Sequence, residues 1–336
     1  MVTLKDIATA CGVSVSTVSK ALNNSSELRK ETIDLVSERA RKLGYTPNSI
    51  ARSLRTNHTK NIGVLFALSS TSGLKHEYFD SILDSIKTEA ESRGYDLTFI
   101  NSTDSRMTYL EKVRYRNFDG VIIASATDYN SAKLVDLLKS NIPCVLIDYK
   151  FRNCISIMSD NEDGAYSLAK YVFAKGHRRI AFITGEDTPV TEARLRGFTR
   201  ACRERGVEPN PDHVRQSRFH DPDSSYEQTL ALFAQDPDIT CLFYPDDVSM
   251  IGGLRALGKL GRKVPQDVSA IGYDGIAISR IMRPVFTTYV QSSDAIGKLA
   301  AEKLIDQIEK PKAIKETLYV KGIIQEGDTL AEPIRK

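Results

Sequence analysis

Short, nearly unbroken apolar runs recur from residue 61 onward, each separated from the next by a stretch with helical periodicity. Few folds accommodate that alternation. Ile62-Gly63-Val64-Leu65-Phe66, Leu97-Thr98-Phe99-Ile100, Val121-Ile122-Ile123-Ala124 and Cys144-Val145-Leu146-Ile147 read as strands buried on both faces. Helical stretches near 77–92, 106–116 and 131–140 lie between them. The pattern then repeats. Ile180-Ala181-Phe182-Ile183, Thr240-Cys241-Leu242-Phe243 and Val268-Ser269-Ala270-Ile271 alternate with helices near 162–175, 192–206, 222–235 and 247–260. Strands covered by helices on both sides belong to parallel, doubly wound sheets. Two successive sets predict a two-lobed α/β body, with an N-lobe of about 61–148 and 276–290 and a C-lobe of about 155–274 and 292–322. The chain is expected to cross between lobes near 149–160 and 274–290. A last strand near 314–322 is followed by a short polar tail without leucine heptads. Open α/β sheets bind ligands beyond the carboxyl ends of their strands, so two facing lobes share one cleft.

The first 60 residues follow a different rule. Leu4, Ile7, Ala8 and Cys11 repeat at the spacing of one helical face, and Gly12-Val13 breaks the chain. Ser14 to Leu22 then starts a second short helix in which Val18 and Leu22 are the core candidates. Val15, Ser16, Ser19 and Lys20 are left outward. Two helices joined by a tight glycine-containing turn make a helix-turn-helix, whose second helix can enter the DNA major groove. A third helix from Lys30 to Leu43 places Ile33, Val36, Ala40 and Leu43 on one face, and Gly44 ends it. Thr46-Pro47 can cap a further two-turn helix from Asn48 to Arg55, too short to be stable without a partner. The expected division is therefore a head over 1–45, a hinge helix and tether over 46–60, and the body over 61–336.

Charge supports that division. Residues 1–60 hold ten Lys or Arg against five Asp or Glu, and the remainder is slightly acidic, so the net +3 is concentrated in the head. A basic head on a near-neutral body reads as a nucleic-acid module joined to something else. No apolar run approaches the 18 residues of a membrane span, and the N-terminal residues carry no cationic and apolar leader. The five cysteines, odd in number and without a C-x-x-C pair, predict reduced thiols in the cytoplasm and neither a zinc framework nor disulfides. His177 precedes a strand and reads as structural. Neither a P-loop nor a nucleophile elbow is present, so no enzymatic chemistry and no cofactor are expected.

The segment Val13-Ser14-x-x-Thr17-Val18-Ser19-Lys20-x-Leu22-Asn23, followed by Gly44-Tyr45-x-Pro47-Asn48-x-x-Ala51-x-x-Leu54, resembles the head and hinge of the LacI/GalR family of bacterial repressors. The body continues the resemblance in Ser159-Asp160-Asn161-x-x-Gly164-Ala165, Gly176-His177-Arg178-Arg179, Arg194-Leu195-x-Gly197-Phe198, Val264-Pro265-x-Asp267-Val268 and Pro284-x-x-Thr287-Thr288. Its lobes are similar to periplasmic sugar-binding proteins. The resemblance implies an all-α helix-turn-helix head and hinge helix on a periplasmic-binding-protein-like α/β body. It also implies that Val15, Ser16 and Lys20 read operator bases and that Thr3, Ser14, Thr17, Ser19, Asn23, Thr32, Tyr45, Asn48 and Ala51 help hold the DNA. Leu54 would be the wedge that kinks the operator at its centre. The family usually carries arginine where Lys20 stands, and a point charge replaces a bidentate guanine contact there.

Within the cleft, the strand-end residues Asp148, Asp246 and Asp274, with Arg194 on the helix after the Ile183 strand, are candidates for charge-assisted bonds to a small polar effector. The alternative for Asp246, less favoured, is a cap on the helix that begins at Asp247. Tyr78, Phe79 and Phe219 look like the family's stacking residues. Departures are a longer, polar Ser69–His76 loop, Asp246 where asparagine is common, and Gly275 where aspartate is common. The departures alter the donor and acceptor pattern of the pocket, so no one member's ligand carries over; the resemblance itself implies a homodimeric, ligand-responsive regulator of double-stranded operator DNA, most simply a repressor with a sugar or sugar derivative as effector. A protein partner or a nucleobase-like corepressor is the alternative.

Overall fold

The computed structural model describes residues 2–22, 25, 27–45, 58–67, 74, 76–101, 106–310 and 314–334. It divides into two compact units, Met1–Thr59 and Lys60–Lys336.

The first unit contains helices α1 (Leu4–Cys11), α2 (Val15–Leu22) and α3 (Lys30–Lys42). Thr3 and Asp6 form a reciprocal cap at the start of α1, and Gly12, at φ 66°, ends it in the left-handed conformation that glycine adopts without strain. Ser14 Oγ accepts the Thr17 N–H at 3.1 Å and so starts α2. Ile7, Ala8, Val18, Ala21, Val36 and Ala40 form the core. Two expectations change here. Ala21 takes the fully buried place while Leu22 packs at its margin, and Leu43 is exposed. Helix α3 stops at Lys42, and Gly44 turns the chain at φ 69°. Tyr45 then bonds the Ala40 carbonyl at 2.9 Å and packs on the core in place of Leu43.

In the second unit, two six-stranded sheets are each wrapped by helices. The first contains β1 (Asn61–Phe66), β2 (Asp96–Phe99), β3 (Gly120–Ser125), β4 (Cys144–Ile147), β5 (Ile155–Ser159) and β11 (Thr317–Val320), in the order β11-β5-β4-β3-β1-β2 and parallel throughout. The second contains β6 (Ile180–Thr184), β7 (Val214–Gln216), β8 (Cys241–Phe243), β9 (Ser269–Asp274), β10 (Thr287–Val290) and β12 (Ile323–Gln325), in the order β12-β10-β9-β8-β6-β7. Only β12 runs antiparallel to its neighbour. Helices α4 (Glu77–Ser92), α5 (Tyr109–Arg116) and α6 (Ala132–Leu138) belong to the first set; α7 (Asn161–Ala174), α8 (Pro189–Glu204), α9 (Pro222–Gln235), α10 (Asp247–Lys259) and the short α11 (Ile278–Ile281) belong to the second. Helix α12 (Ser293–Glu309) returns to pack on α4 and on β3, β4 and β5.

The lobe boundaries expected from sequence are corrected by this pairing. Residues 155–159 and 317–320 complete the first sheet, whereas 287–290 lie in the second beside β9. Reading 149–160 as a crossing overlooked that Ile155, Ile157 and the residues between them are buried on both faces, as an interior strand must be. The crossings instead follow β5, β10 and β11.

Candidate functional sites

On the first unit, α2 presents Val15, Ser16 and Lys20 to solvent; Val15 is 44% exposed, an unusual place for an apolar side chain that no partner covers. Ser14 bonds Ser16 Oγ at 2.7 Å and Thr17 Oγ1 at 2.8 Å, so the hydroxyls form a connected polar ridge. Ser14 and Thr3 are exposed and each also caps a helix, while Thr17, Ser19 and Thr32 are half-buried. Lys20 pairs with Glu27 at 2.5 Å across the surface. An exposed pair of this kind is readily given up when a phosphate or base competes. Tyr45 is half-buried against the core, so its ring serves packing first. Asn23, Asn48, Ala51 and Leu54, with the whole expected hinge helix, lie outside the described residues.

In the second unit, a cavity of about 460 Å³ lies between the carboxyl ends of the two sheets. Tyr78, Phe79, Asp148, Arg194, Phe219 and Asp274 all line it, six of the seven effector candidates. Helix α4 supplies the aromatic pair. The Tyr78 hydroxyl donates to Asp148 Oδ2 at 2.8 Å, and the Phe79 ring meets Phe66 and Tyr78 edge-on at 5.2 Å. Asp148 follows β4 at φ 53°, its Oδ1 accepting the Ser159 N–H at 2.8 Å. Burial raises its pKa despite those bonds, and burial beside Asp148 drives the Tyr78 hydroxyl well above the usual phenol range.

Arg194 lies buried in α8, whose start is fixed by Thr188 as cap and Pro189 in the first turn. Its guanidinium donates to Asn161 Oδ1 at 2.8 Å and to the Pro245 carbonyl at 2.6 Å, and sits 3.5 Å from the centre of the Tyr273 ring. Phe219 faces it from 5.7 Å, occupying space that opens only because residue 185 is glycine; a Cβ there would meet the ring at 2.2 Å. Asp274 ends β9 at φ 99°, a strained conformation for a residue with a side chain. Gln291 donates to its Oδ1 at 2.6 Å, and Arg194 Nη2 stands 3.9 Å from the same oxygen. Burial raises the Asp274 pKa, and the positive charge of Arg194 offsets part of the rise. The Gln291 Oε1 atom is buried with no hydrogen-bond partner.

Asp246 departs from the effector-site expectation. It is fully buried and does not line the cavity. Its oxygens accept the Ser249 N–H at 2.7 Å, the Ser249 hydroxyl at 2.9 Å and the His220 N–H at 2.8 Å. It caps α10 and anchors the loop carrying Phe219. Burial works against its ionisation, yet His220 and these N–H donors hold its pKa below the ordinary carboxylate range.

Sequence reading missed several cavity residues. Tyr129 and Tyr149 stack at 4.0 Å on the β3 and β4 side. Gln291, Ser125 and His220 also line the wall. Ser125 ends β3, Tyr149 and Gln291 follow strands, and Tyr129 and His220 precede helices, so the strand-end rule that selected Asp148 and Asp274 reaches them too. For Gln291 the strand list is at fault, because it follows β10, which lies inside the expected 274–290 crossing. Of the long loop Ser69–His76, only Leu74 and His76 are described. His76 is buried where α4 begins, its ring 3.5 Å from that of His220. His177 is structural as expected, its two ring nitrogens 2.9 Å from Thr240 Oγ1 and 2.8 Å from the Ala331 carbonyl.

Residues 3–48 match the family described as bacterial regulatory proteins, lacI family, and residues 169–329 match the periplasmic binding protein-like domain. The chain is 34% identical over 318 residues to the HTH-type transcriptional repressor PurR of Pasteurella multocida, covering 92% of this chain and 93% of that one. Among solved structures it is similar to the lac repressor dimer bound to operator and the anti-inducer ONPF, with a TM-score of 0.83 and 24% identity over 98% of this chain and 99% of the other. A LacI family transcriptional regulator from Enterococcus faecium with bound ribose gives a TM-score of 0.69 at 25% identity, covering 81% and 99%. None of the described helices is long and apolar enough to cross a membrane.

Proposed function

The chain belongs to the lacI family of bacterial regulatory proteins and is a DNA-binding transcriptional repressor rather than an enzyme; from that premise we propose that a small polar effector in the body's cleft sets its grip on a pseudo-palindromic operator, which it binds as a homodimer. The observation that carries this is the composition of the cleft wall. A buried cation, two carboxyls of raised pKa and an unpartnered buried carbonyl face one cavity. Hydroxyl or N–H donors of a ligand would satisfy Gln291 Oε1 and the carboxyls, and Arg194 would meet its acceptors. Tyr129, Tyr149 and Phe219 offer flat apolar faces of the kind that cover a sugar ring or a base. The ribose-bound relative favours a sugar or sugar derivative. The effector changes repression only by preferring one arrangement of the two halves over the other.

On the head, the exposed ridge of Ser14, Val15, Ser16 and Lys20 supports major-groove contact. Thr3, Thr17, Ser19, Thr32 and Tyr45 would flank it, and Leu54 would supply the central wedge.

The test is a thermal-shift screen of the full chain with pentoses, hexoses and disaccharides, and with nucleobases and nucleosides as the contrasting class. A ligand at 100 times its Kd stabilises by about 2.7 kcal/mol, which raises Tm by roughly 5 °C for a body of this size. The same ligand must change operator affinity, and Arg194→Ala and Asp274→Asn must each abolish the shift. A shift that persists in both variants refutes the cleft assignment. A nucleobase that alone gives the shift overturns the sugar reading.

A further inference from the structure

His76 and His220 approach each other from the two halves of the body. His76 stands at the start of α4, on the first sheet's side; His220 follows β7 and Asp274 ends β9, both on the second sheet's side. The imidazole centres are 3.5 Å apart and tilted by 39°. One donor atom from each histidine and one carboxylate oxygen of Asp274 lie within 4.8 Å of one another.

The partners of these groups are unusual. His76 is 95% buried by its 5% exposure, and neither of its ring nitrogens has a hydrogen-bond partner. His220 Nδ1 is also buried without one, since Asp246 Oδ2 stands 3.6 Å away, beyond hydrogen-bond reach. Buried polar atoms left unpaired cost free energy, and three of them on two facing imidazoles require an explanation. On Asp274, the contacts from Gln291 and Arg194 both fall on Oδ1.

We propose that His76, His220 and Asp274 form a binding site for a divalent first-row transition ion of the zinc class, which bridges the two halves of the body. Two neutral imidazoles and one carboxylate are the donor set of a three-ligand zinc site with its fourth position open to water or an effector. Zinc bonds of about 2.0–2.2 Å place tetrahedral donors roughly 3.3–3.6 Å apart, so the cluster must contract by about 1 Å on binding. A bound ion would take one nitrogen of each imidazole and fasten the start of α4 to the end of β9, beside the Ala277 N–H that Glu77 accepts at 2.7 Å. Its consequence for repression rests on the cleft reading above. Its existence as a metal site does not.

The experiment is a calorimetric titration of the chelator-treated full chain with Zn²⁺ alone, repeated with Co²⁺ and read by absorption. Wild type takes up one tight equivalent, with a rise in Tm and cobalt d–d bands free of thiolate charge transfer. His76→Phe retains a ring beside Phe79 and His220 but removes both nitrogens; it and His220→Phe each weaken the tight equivalent by at least about tenfold. Where one variant fails to fold by circular dichroism, the other decides. Absence of a tight equivalent in wild type, its survival in a folded variant, or a thiolate band in the cobalt spectrum each overturns the proposal. Zinc uptake alongside a failed metabolite screen condemns only the effector reading, and an effector without zinc uptake condemns only the metal site.

Discussion

Replacing Arg194 by leucine asks whether one buried cation holds the cleft wall in place. The guanidinium donates to two buried acceptors, Asn161 Oδ1 and the Pro245 carbonyl. Hydrogen bonds from a charged donor contribute about 1.5–3 kcal/mol each, so their joint loss costs about 3–6 kcal/mol. Leucine keeps part of the packing on Tyr273, which limits the cavity that forms. Asp274 then makes the cost depend on pH. Burial already raises its pKa above 3.8, and Arg194 restrains that rise. A carboxyl raised in the folded state contributes stability that is complete below its unfolded pKa and is lost as pH climbs through the folded value. Without the arginine the folded value rises further, so the penalty of the substitution grows from acid toward neutral and alkaline pH. Urea unfolding followed by circular dichroism at about pH 5.5 and pH 8 measures this. The expected result is a loss of about 3–6 kcal/mol at the lower pH and a larger one at the higher, with the pH dependence of the difference removed when Asp274→Asn is added. A penalty below about 1 kcal/mol, or one equal at both pH values, refutes the reasoning.

Other outcomes follow from the same structure. Gly197→Ala places a Cβ 2.1 Å from the Glu162 carbonyl oxygen, so α7 and α8 must part; thermal unfolding should show a loss of at least about 1–3 kcal/mol despite alanine's better helix propensity. Burial depresses the His177 pKa. Its stabilising contribution is therefore complete above the ordinary 6.5 and is lost as pH falls through the folded value. The Tm of wild type should accordingly fall more steeply than that of His177→Gln between about pH 7 and 5. Lys20→Ala should leave Tm nearly unchanged, because the contact with Glu27 is exposed. It should weaken operator binding and reduce the salt dependence by about one counterion per head, and an unchanged salt slope would remove Lys20 from the DNA interface.

How far the sequence predicted this molecule depended on whether the signal was local. Helices α4 and α9 run over 77–92 and 222–235, the spans periodicity predicts, because a helix's apolar stripe and caps are written within its own residues. Strands β5 and β10 were missed for the opposite reason. Ile155–Ser159 and Thr287–Val290 are short and flanked by no long helix of their own half, and their identity lies in pairing with β4 and β9. The same holds in the cleft. Asp148, Arg194 and Asp274 were legible because they end strands or sit on a helix next to one. Asp246 carries the same signature, yet its oxygens go to Ser249 and His220, a choice that only tertiary geometry reveals. His76 and His220 lie 144 positions apart in the chain, and no spacing rule joins them.

The first sheet opens with residues 61–66 and receives its outer strand only with 317–320, after α12 has covered it. During synthesis at roughly 5–20 residues per second, about 10–50 s separate those two events. The three-helix unit has its whole core in hand by Tyr45. A nascent chain on the ribosome therefore carries a finished head long before the remainder can close. Any transcript truncated upstream of Thr317 would yield that head without the structure meant to govern it.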